Sequence, residues 1–210
     1  MMDAALFSTI FGIIAPVLIV SLIGFAWGKA EMPFDTTTIT YASTHIGTPA
    51  LILGVFMNLE ITVDALSEIA LASVLSIAAF AAIGIVVLKA CRQSLSAYLP
   101  SIMLPNIGNM GLPLCLFAFG QEGLGLAIAY FAVGAVMQFT VGMSVASGGA
   151  MNLAGLFKTP VLYAVALGVA FPVMGLSAPE WFDNTVNLLG GMTIPLMLTA
   201  LGVSLSRLQF

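Results

Sequence analysis

The chain has 210 residues, 60% of them hydrophobic and 7% charged, with a mean hydropathy of +1.14 and a formal net charge of −4. Soluble domains carry roughly 25% charged residues, so this composition excludes a water-soluble domain and requires an integral membrane protein. The 5 basic residues form no tract, which argues against a nucleic-acid partner. The 2 cysteines, Cys91 and Cys115, lack metal-ligand spacing, so no metal or cofactor is expected, and Cys115 lies deep in a span while Cys91 is at a span end, so no disulfide is expected.

A helix needs about 20 mostly apolar residues to cross a bilayer, and the hydropathy pattern predicts an all-α protein of about seven spans. Span one covers about residues 6–27. It has no basic leader region or cleavage site before it and reads as a retained span. Gly24 and Gly28 form a small-xxx-small pair suited to close helix contact, and Trp27 is placed as an interface anchor. Span two covers about residues 41–59, with Pro49 and Gly54 inside and His45 near one end. Span three covers about residues 69–88. Span four, about residues 97–119, contains Leu104-Pro105-Asn106-Ile107-Gly108-Asn109-Met110-Gly111-Leu112-Pro113-Leu114. Span five, about residues 124–147, carries Gln138. Span six, about residues 160–174, is short. Span seven covers about residues 186–205 and includes Pro195.

Charge tests this map. The segments after spans one, three, five and seven hold Lys29, Lys89, Arg92, Lys158 and Arg207, which are all the basic residues of the chain. The opposite side holds Asp3, Glu60, Asp64, Glu68, Glu122, Glu180 and Asp183, with no Lys or Arg. Lys and Arg favour cytoplasmic loops, so the N-terminus is expected outside and the basic segments in the cytoplasm. Spans two and seven also share a short pattern, proline then aliphatics then glycine, in Thr48-Pro49 through Gly54 and Ile194-Pro195 through Gly202. They lie five spans apart and so run in opposite directions, as an inverted repeat requires.

Span four is the exception among the seven. Proline removes a backbone donor and glycine tolerates non-helical backbone, so Pro105, Gly111 and Pro113 predict a helix broken near mid-membrane. Broken backbone facing lipid costs several kcal/mol per unsatisfied group, so the break should face protein or a wet cavity. The second half of the span, opening near Gly108, would aim unpaired N–H groups into that cavity. Asn106 and Asn109 add amide donors, and Gln138 on span five could face the same place. Such a seat suits a small anion. A kink with asparagines bonded to neighbouring helices is the plainer alternative.

The run Pro105-Asn106-Ile107-Gly108-Asn109-Met110-Gly111-Leu112-Pro113-Leu114 strongly resembles the fourth-span motif of the auxin efflux carrier family. The resemblance implies ten spans in two inverted repeats of five, with spans four and nine broken and crossing. It implies that Pro105 is a crossover proline and Asn106 a substrate contact. By the same resemblance, residues 1–60 (spans one and two) and 151–210 (spans six and seven) form a scaffold, with a homodimer surface through spans two and seven. Residues 61–150, spans three to five, would belong to a moving transport domain. The substrates implied are organic anions, auxin in plants and dicarboxylates such as malate or malonate in bacteria, and the location is a bacterial inner membrane. The chain departs from that pattern by stopping after span seven, so half of the transport domain is missing and a fragment is expected to transport poorly alone.

The function expected is thus a secondary carrier of small organic anions working by alternating access. A seven-helix channel or receptor-like protein is the alternative, although no charge ring or filter loop is visible. Span seven holds no lysine, which excludes retinal chemistry. No Asp or Glu lies deep in a span and His45 is the sole histidine, so no catalytic residues are assigned and an intramembrane hydrolase is disfavoured. His45 could couple protons or make a helix-end hydrogen bond, and Tyr130 could reach the cavity or simply pack.

Overall fold

The computed structural model describes residues 2–58, 63–148 and 153–208. The described residues are helical, with no strand. Helix α1 (Met2–Lys29) is span one. Span two is α2 (Thr36–Ala42), a wide π turn over Ser43–Gly47, and α3 (Thr48–Asn58). Span three is α4 (Val63–Ala90). From Leu95 to Ser147 the chain is apolar for 53 residues, twice what one crossing needs. Gly120 divides it, with φ +68° and ψ −157°, a conformation that glycine adopts without steric penalty. Span four therefore comprises α5 (Leu95–Met103) and the first part of α6 (Leu112–Met137). Span five comprises the rest of α6, a π turn over Gln138–Gly142, and α7 (Met143–Ser147). After α8 (Leu153–Phe157), span six is the 14-residue α9 (Pro160–Val173). Span seven is α10 (Glu180–Gly191) and α11 (Thr193–Ser206). The fold is that of an integral membrane protein with seven apolar spans.

Arg207 and Asp183 mark opposite ends of span seven. Arg207 donates to Thr36 Oγ1 at 2.9 Å and to the carbonyl of Phe34 at 3.0 Å, tying the end of span seven to the loop after span one. At the other end, Asp183 accepts from Asn58 Nδ2 at 2.9 Å and from Asn187 Nδ2 at 3.0 Å. In the basic-end loop, Asp35 caps α2 by accepting from the N–H of Thr37 at 2.9 Å and from the Thr38 hydroxyl. Those bonds hold its carboxyl below the usual carboxylate value, the Thr38 hydroxyl contributing most.

Packing falls into two groups. In the first, α1 lies along α11, and α3 packs on α9 and α10. Glycines set the separations. A Cβ on Gly24 would land on the carbonyl of Thr199, and one on Gly202 on the carbonyl of Ser21. In the second group α4 packs on α5 and α6, with Ile77, Leu88, Leu99 and Met103 buried together. Helix α6 also touches α1, α3 and α9. The seam between the groups is filled by Ile52, Phe56, Leu112, Leu124, Ile128 and Val161.

Candidate functional site

Helix α5 ends where Leu104 turns to φ −116° and ψ 92°. Pro105 follows and cannot donate, and Asn106 stays outside the helix at φ −73° and ψ 73°. The chain re-enters through the π turn Ile107–Gly111, closed by the Gly111 N–H on the Asn106 carbonyl at 3.2 Å. Asn106 Oδ1 accepts from the Asn109 N–H at 3.2 Å, so this side chain is the cap of the second half-span. Its Nδ2 donates to nothing among the described residues, and neither does the amide of Asn109. The break thus occupies residues 104–106. Pro113 lies beyond it, fully buried at the start of α6, directly after the π turn.

One wall of a cavity of about 510 Å³ is made by Pro105, Asn106, Gly108 and Asn109. That volume is within the usual range for small-molecule sites, roughly 300–1,000 Å³. The facing wall is span five. Gly134, Gln138 and Gly142 recur every fourth residue and so share one helix face. A Cβ on Gly134 would meet Ile107 Cδ1 at 3.0 Å, and one on Gly142 would meet Leu104 Cδ1 at 3.1 Å. The two glycines let the unwound segment approach, and Gln138 stands between them on the cavity. Its amide has no hydrogen-bond partner among the described residues.

Span two and the turn before span six complete the lining with Thr44, His45, Thr48, Lys158 and Thr159. His45 Nδ1 lies 3.1 Å from the carbonyl of Tyr41, and its ring stacks on Tyr41 at 3.8 Å. A carbonyl can only accept, so Nδ1 carries a proton. Thr48 Oγ1 is fully buried and unpartnered, and no Asp or Glu is among the lining residues.

Asn106, Asn109, Gly108, Gln138 and Pro105 are therefore brought together, whereas Gly111 and Pro113 are not part of this cavity. Gly111 lines a second, mostly apolar cavity of about 730 Å³, which shares Pro105, Asn106 and Ile107 with the first and adds Cys115, Phe119, Glu122 and Tyr130. Tyr130 accordingly does not reach the polar cavity, and its hydroxyl pairs with Ser76 Oγ at 2.9 Å. Sequence reasoning passed over Lys158 and Thr48 as site residues. Nothing in the local sequence of either announces a site, because both arrive from spans distant in the chain. The glycine–glutamine–glycine spacing on span five was a readable signal.

Residues 145–210, from span five through span seven, match the family described as membrane transport protein. The match lies outside span four, so it is independent of the proline–asparagine motif that resembles the auxin efflux carriers. A protein of Methanothermobacter thermautotrophicus named an uncharacterized transporter is 36% identical over 109 residues, covering 48% of this chain and 34% of that protein. The chain thus spans about a third of the length of the curated relative it matches.

Proposed function

We propose that the protein is a transporter subunit or segment that binds a small organic anion at the span-four break. The observation that carries this reading is the set of side-chain N–H₂ groups with no partner among the described residues, on Asn106, Asn109 and Gln138, around a cavity with no Asp or Glu among its described lining residues. An amide N–H₂ can donate twice, and Asn106 and Gln138 stand exposed on the cavity, so their donors are open to an anion. The break lies midway between Leu95 and Phe119, so a bilayer-spanning span four holds it near the membrane centre. The family match and the named transporter support the coarser part of the proposal, transport rather than catalysis.

The cavity lies along the seam between the two packing groups, bounded by spans four and five on one side and spans two, six and seven on the other. Movement of spans three to five against the rest would open it to alternate sides, which is alternating access. The basic ends of the spans would face the cytoplasm. The test is binding of radiolabelled malonate, malate and indole-3-acetate to purified protein in nanodiscs. At least one of these should bind, and Asn106→Ala with Asn109→Ala should weaken it by at least about tenfold with the fold intact. No binding by any of the three, or binding untouched by the double substitution, would remove the proposal.

A further inference from the structure

We propose that Lys158 is the charge-selecting residue of the cavity, supplying the countercharge that lets it discriminate a carboxylate from a neutral molecule of the same shape. This rests on the anion-binding reading given above. Amides bind carboxylates and neutral carbonyls alike, since both offer acceptor oxygens, so Asn106, Asn109 and Gln138 alone give little charge discrimination. A fixed cation does.

Lys158 is the one Lys or Arg among the residues lining the cavity, and no Asp or Glu lines it. The other cations near structured parts of the chain are engaged or elsewhere. Arg207 is bound to Thr36 and Phe34, and Lys29 lies over the Phe25 ring at 5.6 Å. Lys89 and Arg92 close span three, outside the cavity. Lys158 forms no ion pair with any described residue. Its ammonium is therefore free to meet a ligand.

The backbone that carries it is held. The Lys158 N–H donates to the Gly155 carbonyl at 3.1 Å, and the Thr159 N–H to that of Leu156 at 3.0 Å. The Thr159 hydroxyl donates to the Gly155 carbonyl at 3.0 Å, and the Tyr163 hydroxyl to that of Phe157 at 2.7 Å. A turn pinned by four hydrogen bonds fixes the lysine stem at the cavity edge, while the exposed side chain keeps its reach. A cation in that position raises the local concentration of anions at the entrance. It then pairs with a carboxylate whose oxygens are held by the amides further in.

The experiment compares wild type, Lys158→Gln, Lys158→Arg and Asn106→Ala in nanodiscs, each with its melting temperature recorded. The probes are malonate and phenylacetate, paired with their neutral carboxamides malonamide and phenylacetamide. Wild type should prefer an acid to its amide. Lys158→Gln should reduce that preference about tenfold while leaving carboxamide binding unchanged, and Lys158→Arg should restore it. A Lys158→Gln protein that keeps the wild-type ratio overturns the inference. If that happens while Asn106→Ala still abolishes binding, the amide seat survives and only the role of Lys158 falls. If wild type binds neither acid, the anion reading fails and this inference fails with it.

Discussion

Glycine serves opposite ends in two parts of this molecule. Along the contact of α1 with α11, Gly24 and Gly202 face main chain, and an added methyl would strike the carbonyls of Thr199 and Ser21. Around the break, Gly134 faces the tip of Ile107, and Gly142 faces the tip of Leu104 and the end of the Gln138 side chain. Lipid tails are as apolar as a leucine side chain, so helix association in a bilayer depends on close packing rather than on a hydrophobic drive. The first contact uses glycine for that packing. The second uses it to admit an unwound segment whose side-chain N–H₂ groups have no partner among the described residues. One region is closed by backbone contact, and the other keeps these donors open to a ligand.

Substitutions should separate the two regions, and the largest effect is expected in the first. Gly202→Ala places a methyl on the Ser21 carbonyl and 2.7 Å from the Phe25 nitrogen, and neither backbone group can step aside. A loss of about 3 kcal/mol or more is expected, at the upper end of overpacking, read as a lowered melting temperature in detergent. Gly134→Ala meets a flexible methyl at 3.0 Å and should change stability by less than about 1 kcal/mol. Equal destabilisation by the two would erase the contrast.

Asn106 offers a finer cut, because its two side-chain ends have different jobs. Asn106→Asp keeps an acceptor for the Asn109 N–H, so stability should hold, yet it replaces the donor with a negative oxygen and should abolish malonate binding. Asn106→Ala should lose both, at about 1 kcal/mol for the missing cap. Retained binding in the Asp variant would show that the amide donor is irrelevant. A smaller effect is expected for Thr48→Val. Its hydroxyl is fully buried without a partner, so an isosteric apolar replacement should be neutral or stabilising by up to about 1 kcal/mol in the ligand-free protein. Measurable destabilisation would mean that the hydroxyl is bonded through water in the cavity.

The smallest effect is at Asp35, outside the membrane. Its folded-state pKa is lowered from 3.8, chiefly by the Thr38 hydroxyl. The cap therefore stabilises the fold above that value and loses its contribution as pH falls through the lower folded value. A melting series from about pH 5 to pH 2 should show this slope in the wild type and a flatter one in Asp35→Asn.

Much of this was open to direct reading. Seven spans and a break at Pro105 follow from hydropathy and proline chemistry, which act locally. Asn106 and Asn109 could be named because they flank the break. The break was expected from Pro105, Gly111 and Pro113 together, and the structure places the non-helical residues at 104–106, with Gly111 and Pro113 in the helical part that follows. Lys158 and Thr48 stayed invisible because each joins the cavity from a span far along the chain.

The amino-acid sequence by itself determined the solvent of this protein, the number of its crossings and the place where one of them must come apart, since each is a property of a short stretch in contact with lipid or water. Only the tertiary structure decided which donors remain open. A side chain is satisfied or left free by what packs opposite it, as Asn106 Oδ1 is taken by the Asn109 N–H while the Gln138 amide, between two glycines, has no hydrogen-bond partner among the described residues.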